Sequence, residues 1–148
     1  AITDRGLFDF VRGSATGPAL FAGRTFDLVH SNSVIEHVGD WSDMRRFADN
    51  ARRLATRYFI QTPHYWFPYE PHIRFPCFQY LPEAARVALI RRFALGFFPR
   101  MEDAAEAQGV IDEHRLLSAR QVRTLFPEAA IRHEKVLGLR KSILAIRG

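Results

Sequence analysis

The chain of 148 residues has a single cysteine, Cys77, which excludes an intrachain disulfide and any cysteine-based zinc cluster. A reducing, cytoplasmic setting is the expectation. It also lacks a long apolar run: the most apolar stretch, Leu81 to Phe98, is broken by Glu83, Arg86, Arg91 and Arg92, so no segment approaches the ~20 apolar residues that cross a bilayer. No signal-peptide core precedes Asp4 and Arg5, and the start at Ala1 reads as a boundary cut within a longer protein. Lysine is scarce, since 19 of the 21 basic residues are arginine. The formal net charge of +5 raises the question of nucleic acid. However, the arginines are scattered as Arg45/Arg46, Arg52/Arg53, Arg91/Arg92 and Arg120/Arg123 among apolar positions at helical spacing, the pattern of solvated helix faces. A nucleic-acid partner is therefore not expected. With 47% hydrophobic and 25% charged residues, the chain has the composition of one folded domain and not of a disordered or fibrous one.

Phe8 to Gly13 reads as a short strand running into a small-residue loop through Gly17-Pro18. Thr25 to Asn32 reads as a second strand whose apolar centre lacks alternation, as expected of a strand covered on both faces of a parallel sheet. Asp40 has the chemistry of an N-cap, with Asp43 three residues on as a capping-box partner. Trp41, Met44, Phe47, Ala48, Ala51, Leu54 and Ala55 then recur at spacings of three and four, predicting an amphipathic helix. Arg57 to Thr62 is the next strand, so Thr25 to Thr62 has the length of a strand, crossover helix, strand unit. From Pro63 to Pro82, five prolines oppose regular structure while nine of the 19 aromatic residues crowd between Tyr58 and Tyr80. Such a loop is costly to expose and suggests a lid or pocket wall. A helix is predicted from Pro82 to about Gly96–Pro99, and a helical or linking segment over Met101–Gly109. Ser118 caps a short helix over 119–126, closed by Pro127. Ala130–Gly138 and Lys141–Arg147 are too close in sequence for anything but an antiparallel hairpin.

On Phe26 to Val38, Thr62-Pro63, Leu117-Ser118 and the run from Val136 to Arg147, the sequence resembles the class I S-adenosylmethionine-dependent methyltransferases. These segments are similar to that family's fourth strand and following turn, its fifth strand, its last helix and its final antiparallel hairpin. The resemblance implies a partial Rossmann-like α/β fold with a mostly parallel sheet ending in an antiparallel hairpin. It spans residues 1–148 as one partial domain, with an insertion or lid at about 64–114. It further implies methyl transfer from S-adenosylmethionine to a small-molecule acceptor. The family's glycine-rich cofactor loop has no counterpart in Gly6, Gly13, Gly17 and Gly23, so the chain looks like the carboxyl-terminal two-thirds of such an enzyme, inactive alone. Alternatives are a non-catalytic methyltransferase-like assembly domain and a basic nucleic-acid-binding module. An unpaired strand edge left by the missing elements would favour a homo-oligomer.

The same resemblance assigns cofactor contacts to Gly13, Ser14 and Ala15, similar to the family's turn after its third strand with Ser14 in place of Asp, and to Ser31, Asn32 and Ser33. His37 and His64 are the candidate general bases, should the acceptor be a hydroxyl. Tyr65, Trp66, Tyr69 and His72 follow a strand end, where open α/β sheets bind ligands, and are the candidate substrate contacts. No metal is expected. Ser33 stands where some methyltransferases have the first Glu of a Glu-x-x-Glu-His motif, and His64, Glu70 and His72 make neither a three-histidine cluster nor a helical H-E-x-x-H. Cys77, between Pro76 and Phe78, reads as a packed, inert thiol.

Overall fold

The computed structural model describes residues 9–148. Four strands form the main sheet: β1 (Val29–Asn32), β2 (Tyr58–Pro63), β5 (Ala130–Val136) and β6 (Leu139–Arg147), in the order β1-β2-β6-β5. Only β1 and β2 are parallel, with Ser31 opposite Ile60. β6 runs antiparallel between β2 and β5, pairing Ile60 with Ala145 and His133 with Ile143. The sheet is therefore mixed and not mostly parallel. The sequence shows one crossover helix, and the two strands that close the chain meet through a tight turn, which enforces antiparallel pairing.

Helix α1 (Trp41–Leu54) joins β1 to β2, and Asp40 caps it: its carboxylate accepts from the Ser42 and Asp43 amides, while Asp43 accepts from the Asp40 amide. Its apolar stripe of Met44, Phe47, Ala48, Ala51 and Leu54 is buried on the sheet. Helix α4 (Ala119–Leu125), with a capping box between Ser118 and Gln121, adds Val122 and Leu125 to the same core. Tyr58, Ile60, Ile143 and Ala145 supply the sheet side. Strand alternation sends Phe59, Gln61 and Leu144 to the opposite face, which is half-buried among the described residues. His30 and Asn32, on that face of β1, are exposed, so β1 is covered on one face and not on both.

Between β2 and α4 the chain builds a second core. The two-residue strands β3 (Tyr69–Glu70) and β4 (Phe75–Pro76) pair antiparallel, so regular structure does arise among the prolines. Helices α2 (Glu83–Arg92) and α3 (Ala104–Glu113) then bury Ile90, Ala107, Val110 and Ile111 with Ile73, Phe78 and Met101. Helix α2 stops several residues before Gly96, because Phe93 takes extended backbone and Leu95 to Phe98 form a tight turn. The predicted strand over Phe8–Gly13 is not formed in residues 9–13, and Phe8 lies outside the described residues. Cys77 is exposed with left-handed backbone (φ 57°), not packed, because it begins a single helical turn that folds back on Pro68. Among the described residues, no helix is long and apolar enough to cross a membrane.

Candidate functional site

The carboxyl ends of β1 and β2 open onto a cleft of about 700 Å³, whose walls include Asn32, Ser33, Gln61, His64, Tyr69 and Glu134. Parallel strands direct their following loops to this end, and the two strands part company here as β1 turns toward α1. The turn is tight: Ser33 adopts left-handed backbone (φ 53°) while its amide still donates to the Gln61 carbonyl. Asn32 and Ser33 thereby present an amide and a hydroxyl to the cleft, joined to each other at 3.3 Å. Across the cleft, Glu134 accepts from the Ser142 hydroxyl at 2.8 Å, which holds its carboxyl below the ordinary range. Gln61 donates to the same Ser142 hydroxyl at 3.1 Å.

His64 is nearly fully buried at the cleft edge. Its Nδ1 accepts from the Trp66 amide at 3.0 Å, so in the neutral ring the proton sits on Nε2. Burial, followed by the nearby His133 and Arg140, pushes its pKa below the usual histidine value. A neutral His64 is thus a donor through Nε2, with the nitrogen that a general base would use already committed.

His37 lies elsewhere, at the seam between the two cores. Its ring meets those of His72 and His114 at centroid distances of 4.7 and 4.8 Å, and His72 and His114 are 4.6 Å apart. The preceding Glu36 is wholly buried; Thr62 donates to its Oε2 at 2.8 Å, Oε1 has no partner, and burial raises its pKa.

No family model and no curated protein matches this chain. A solved structure, that of an O-methyltransferase family protein from Burkholderia thailandensis, is similar over 94% of this chain with a TM-score of 0.53 and 13% sequence identity. The fold is methyltransferase-like. The chain spans 35% of that protein's length.

Within this methyltransferase-like fold the predicted site residues separate into groups. Asn32, Ser33, His64 and Tyr69 share the cleft. Ser31 does not face it, because alternation turns its buried hydroxyl toward the helix layer, where it has no partner. Ala15 packs on the main core, and its carbonyl and that of Gly17 accept from Asn50 of α1, so the Gly13–Ser14–Ala15 segment is anchored to the helix flank. Tyr65 lines a separate pocket of about 330 Å³, together with Glu70 and His114. Trp66 is 66% exposed, with its ring against Tyr65 and Tyr80. His72 joins His37 and not Tyr69. Gln61, Glu134 and Ser142 were not singled out by sequence; their signal is the alternation along β2, β5 and β6, which becomes readable only once the hairpin register is known.

Proposed function

We propose that this chain takes part in methyl transfer from S-adenosylmethionine to a small-molecule acceptor, holding the acceptor at the carboxyl ends of β1 and β2. The observation that carries this reading is the cleft lined by Asn32, Ser33, Gln61, His64 and Tyr69: its size suits a small ligand, and it opens where sheets of this class bind one. Support comes from the methyltransferase-like strand order and the similarity to the O-methyltransferase family structure.

The bound cofactor supplies an already activated methyl group, which leaves the protein the task of positioning. Asn32 and Ser33 fit the polar groups near the reacting centre, and Phe67 and Tyr69 offer apolar wall. His64 orients an acceptor oxygen by donating from Nε2. Gly13, Ser14 and Ala15, held on the flank of α1, are the further cofactor contacts of this reading. With no glycine-rich cofactor motif among its residues, this chain is expected to bind the cofactor weakly by itself.

The test is an amide spectrum of the isotopically labelled 148-residue chain, with S-adenosylhomocysteine added to millimolar concentration. Shifts at Asn32, Ser33 and Gln61 are expected, with no heat of binding at micromolar concentration. An unchanged spectrum, or shifts confined to residues away from the cleft, overturns the reading.

A further inference from the structure

Three histidines from segments far apart in sequence converge at the junction of the two cores. His37 ends the helical turn after β1, His72 sits between β3 and β4, and His114 follows α3. One nitrogen from each lies within 4.8 Å of the other two. Two of the rings are also held from behind. The Nδ1 of His72 is 2.8 Å from the Glu70 carboxylate, whose second oxygen accepts from the Ile73 amide. The Nδ1 of His114 donates to the Val110 carbonyl at 2.7 Å.

A ring that gives its one proton to a carboxylate or carbonyl keeps a bare lone pair on its other nitrogen. Three imidazoles bring one nitrogen each within 4.8 Å of the other two, an arrangement that favours something electron-poor between them. A shared proton satisfies two of them, and a water molecule donates two hydrogen bonds; a cation satisfies all three. Histidine ligands backed by a carboxylate or a backbone carbonyl are the usual form of a transition-metal site.

We propose that His37, His72 and His114 bind a divalent transition-metal ion of the zinc class through one ring nitrogen each. Zinc–nitrogen bonds of about 2.0–2.1 Å require the three nitrogens to draw closer by a small rotation of the rings. Three neutral ligands leave the ion its full positive charge, and the exposed position of His37 leaves a fourth coordination place open to water or an oxygen-bearing ligand. The site stands apart from the cleft and does not rest on the methyl-transfer reading.

The test uses the untagged chain freed of metal with a chelator, titrated with Zn²⁺ against a chromophoric competitor, and with Co²⁺ followed by visible absorption. One equivalent is expected to bind, with the intense bands of a low-coordinate Co²⁺ site. Binding is expected to be lost in His72→Ala and His114→Ala, weakened about 10–100-fold in Glu70→Gln and unchanged in His30→Ala. A measurement on the unmodified chain is independent of whether the variants fold: in imidazole ¹⁵N spectra, the ring signals of His37, His72 and His114 shift together at one equivalent of Zn²⁺. No binding by the unmodified chain, or shifts confined to His30, His64 and His133, overturns the proposal.

Discussion

Gly96 is pressed against the backbone of His72: a Cβ at Gly96 would run into the His72 carbonyl oxygen and stand 2.5 Å from the Ile73 carbonyl carbon. The amide of the next residue, Phe97, donates to that same His72 carbonyl at 3.3 Å. The turn after α2 thus clamps the loop that presents His72. Gly96 also has φ +58°, a conformation that side chains resist.

Gly96→Ala is expected to destabilise the chain by at least the ~1–3 kcal/mol of left-handed strain, with the backbone clash added. The urea midpoint checks this, read with an unchanged slope. The His72 imidazole signal should move further than that of His133, which lies on β5.

Thr62 is the close hydroxyl donor to the wholly buried Glu36. Thr62→Val leaves that oxygen without it beside a second oxygen that already has no partner, and is expected to cost about 1–3 kcal/mol. Thr62→Ser, which keeps the hydroxyl, should lose much less. Denaturant titration of the two variants side by side separates the hydrogen bond from the packing of the methyl group.

Asp40 has its carboxyl lowered to about 2 by accepting from the Asp43 and Ser42 amides and the Ser42 hydroxyl at the start of α1. Because the folded value lies below the ordinary 3.8, this ionised cap adds stability above that pH and loses its contribution as pH falls toward 2. The advantage of the native chain over Asp40→Asn should therefore be constant near neutrality and shrink between those two values. Thermal unfolding at a series of pH values measures it.

The edge of β1 turned away from β2 has no strand partner among the described residues, and Leu28, just before it, is 53% exposed. The chain is expected to self-associate through this edge, since unpaired apolar strands seek partners. Leu28→Lys should shift sedimentation toward the monomer while leaving the circular dichroism spectrum unchanged. Monomeric behaviour of the unmodified chain at high concentration would remove the edge as an interface.

Local signals carried far in this sequence where they were self-contained. Asp40 with Asp43 and Ser118 with Gln121 set both helix starts, because a capping box needs only residues three apart. The apolar periodicity of Phe93, Ala94, Phe97 and Phe98 predicted a longer α2, but the need to bring Gly96 against His72 overrode it. The histidine cluster left no trace in spacing, since its members come from three separate turns. The sequence offers His64 as a candidate general base, but the Trp66 amide at its Nδ1, a contact that exists only in the folded chain, commits that nitrogen.

The inserted segment leaves the sheet at His64 and returns beside it at Leu117, where the two residues form a parallel bridge and the Tyr65 amide donates to the Leu117 carbonyl. Its own core draws only on residues between Ile73 and Ile111, a contiguous run that can collapse without waiting for the rest of the chain. Once it has done so, the route from β2 to β6 is shortened, and the entropic cost of closing that long loop falls to that of residues 118–141 beyond the bridge. The order of folding then follows from topology: the insertion forms first, and the pairing of Pro63 with Ser142 then closes a shorter loop that holds only α4 and β5. A chain in which a short turn replaces residues 66–115 should keep its sheet and fold at a similar rate, whereas loosening the second core should slow the joining of β2 to β6.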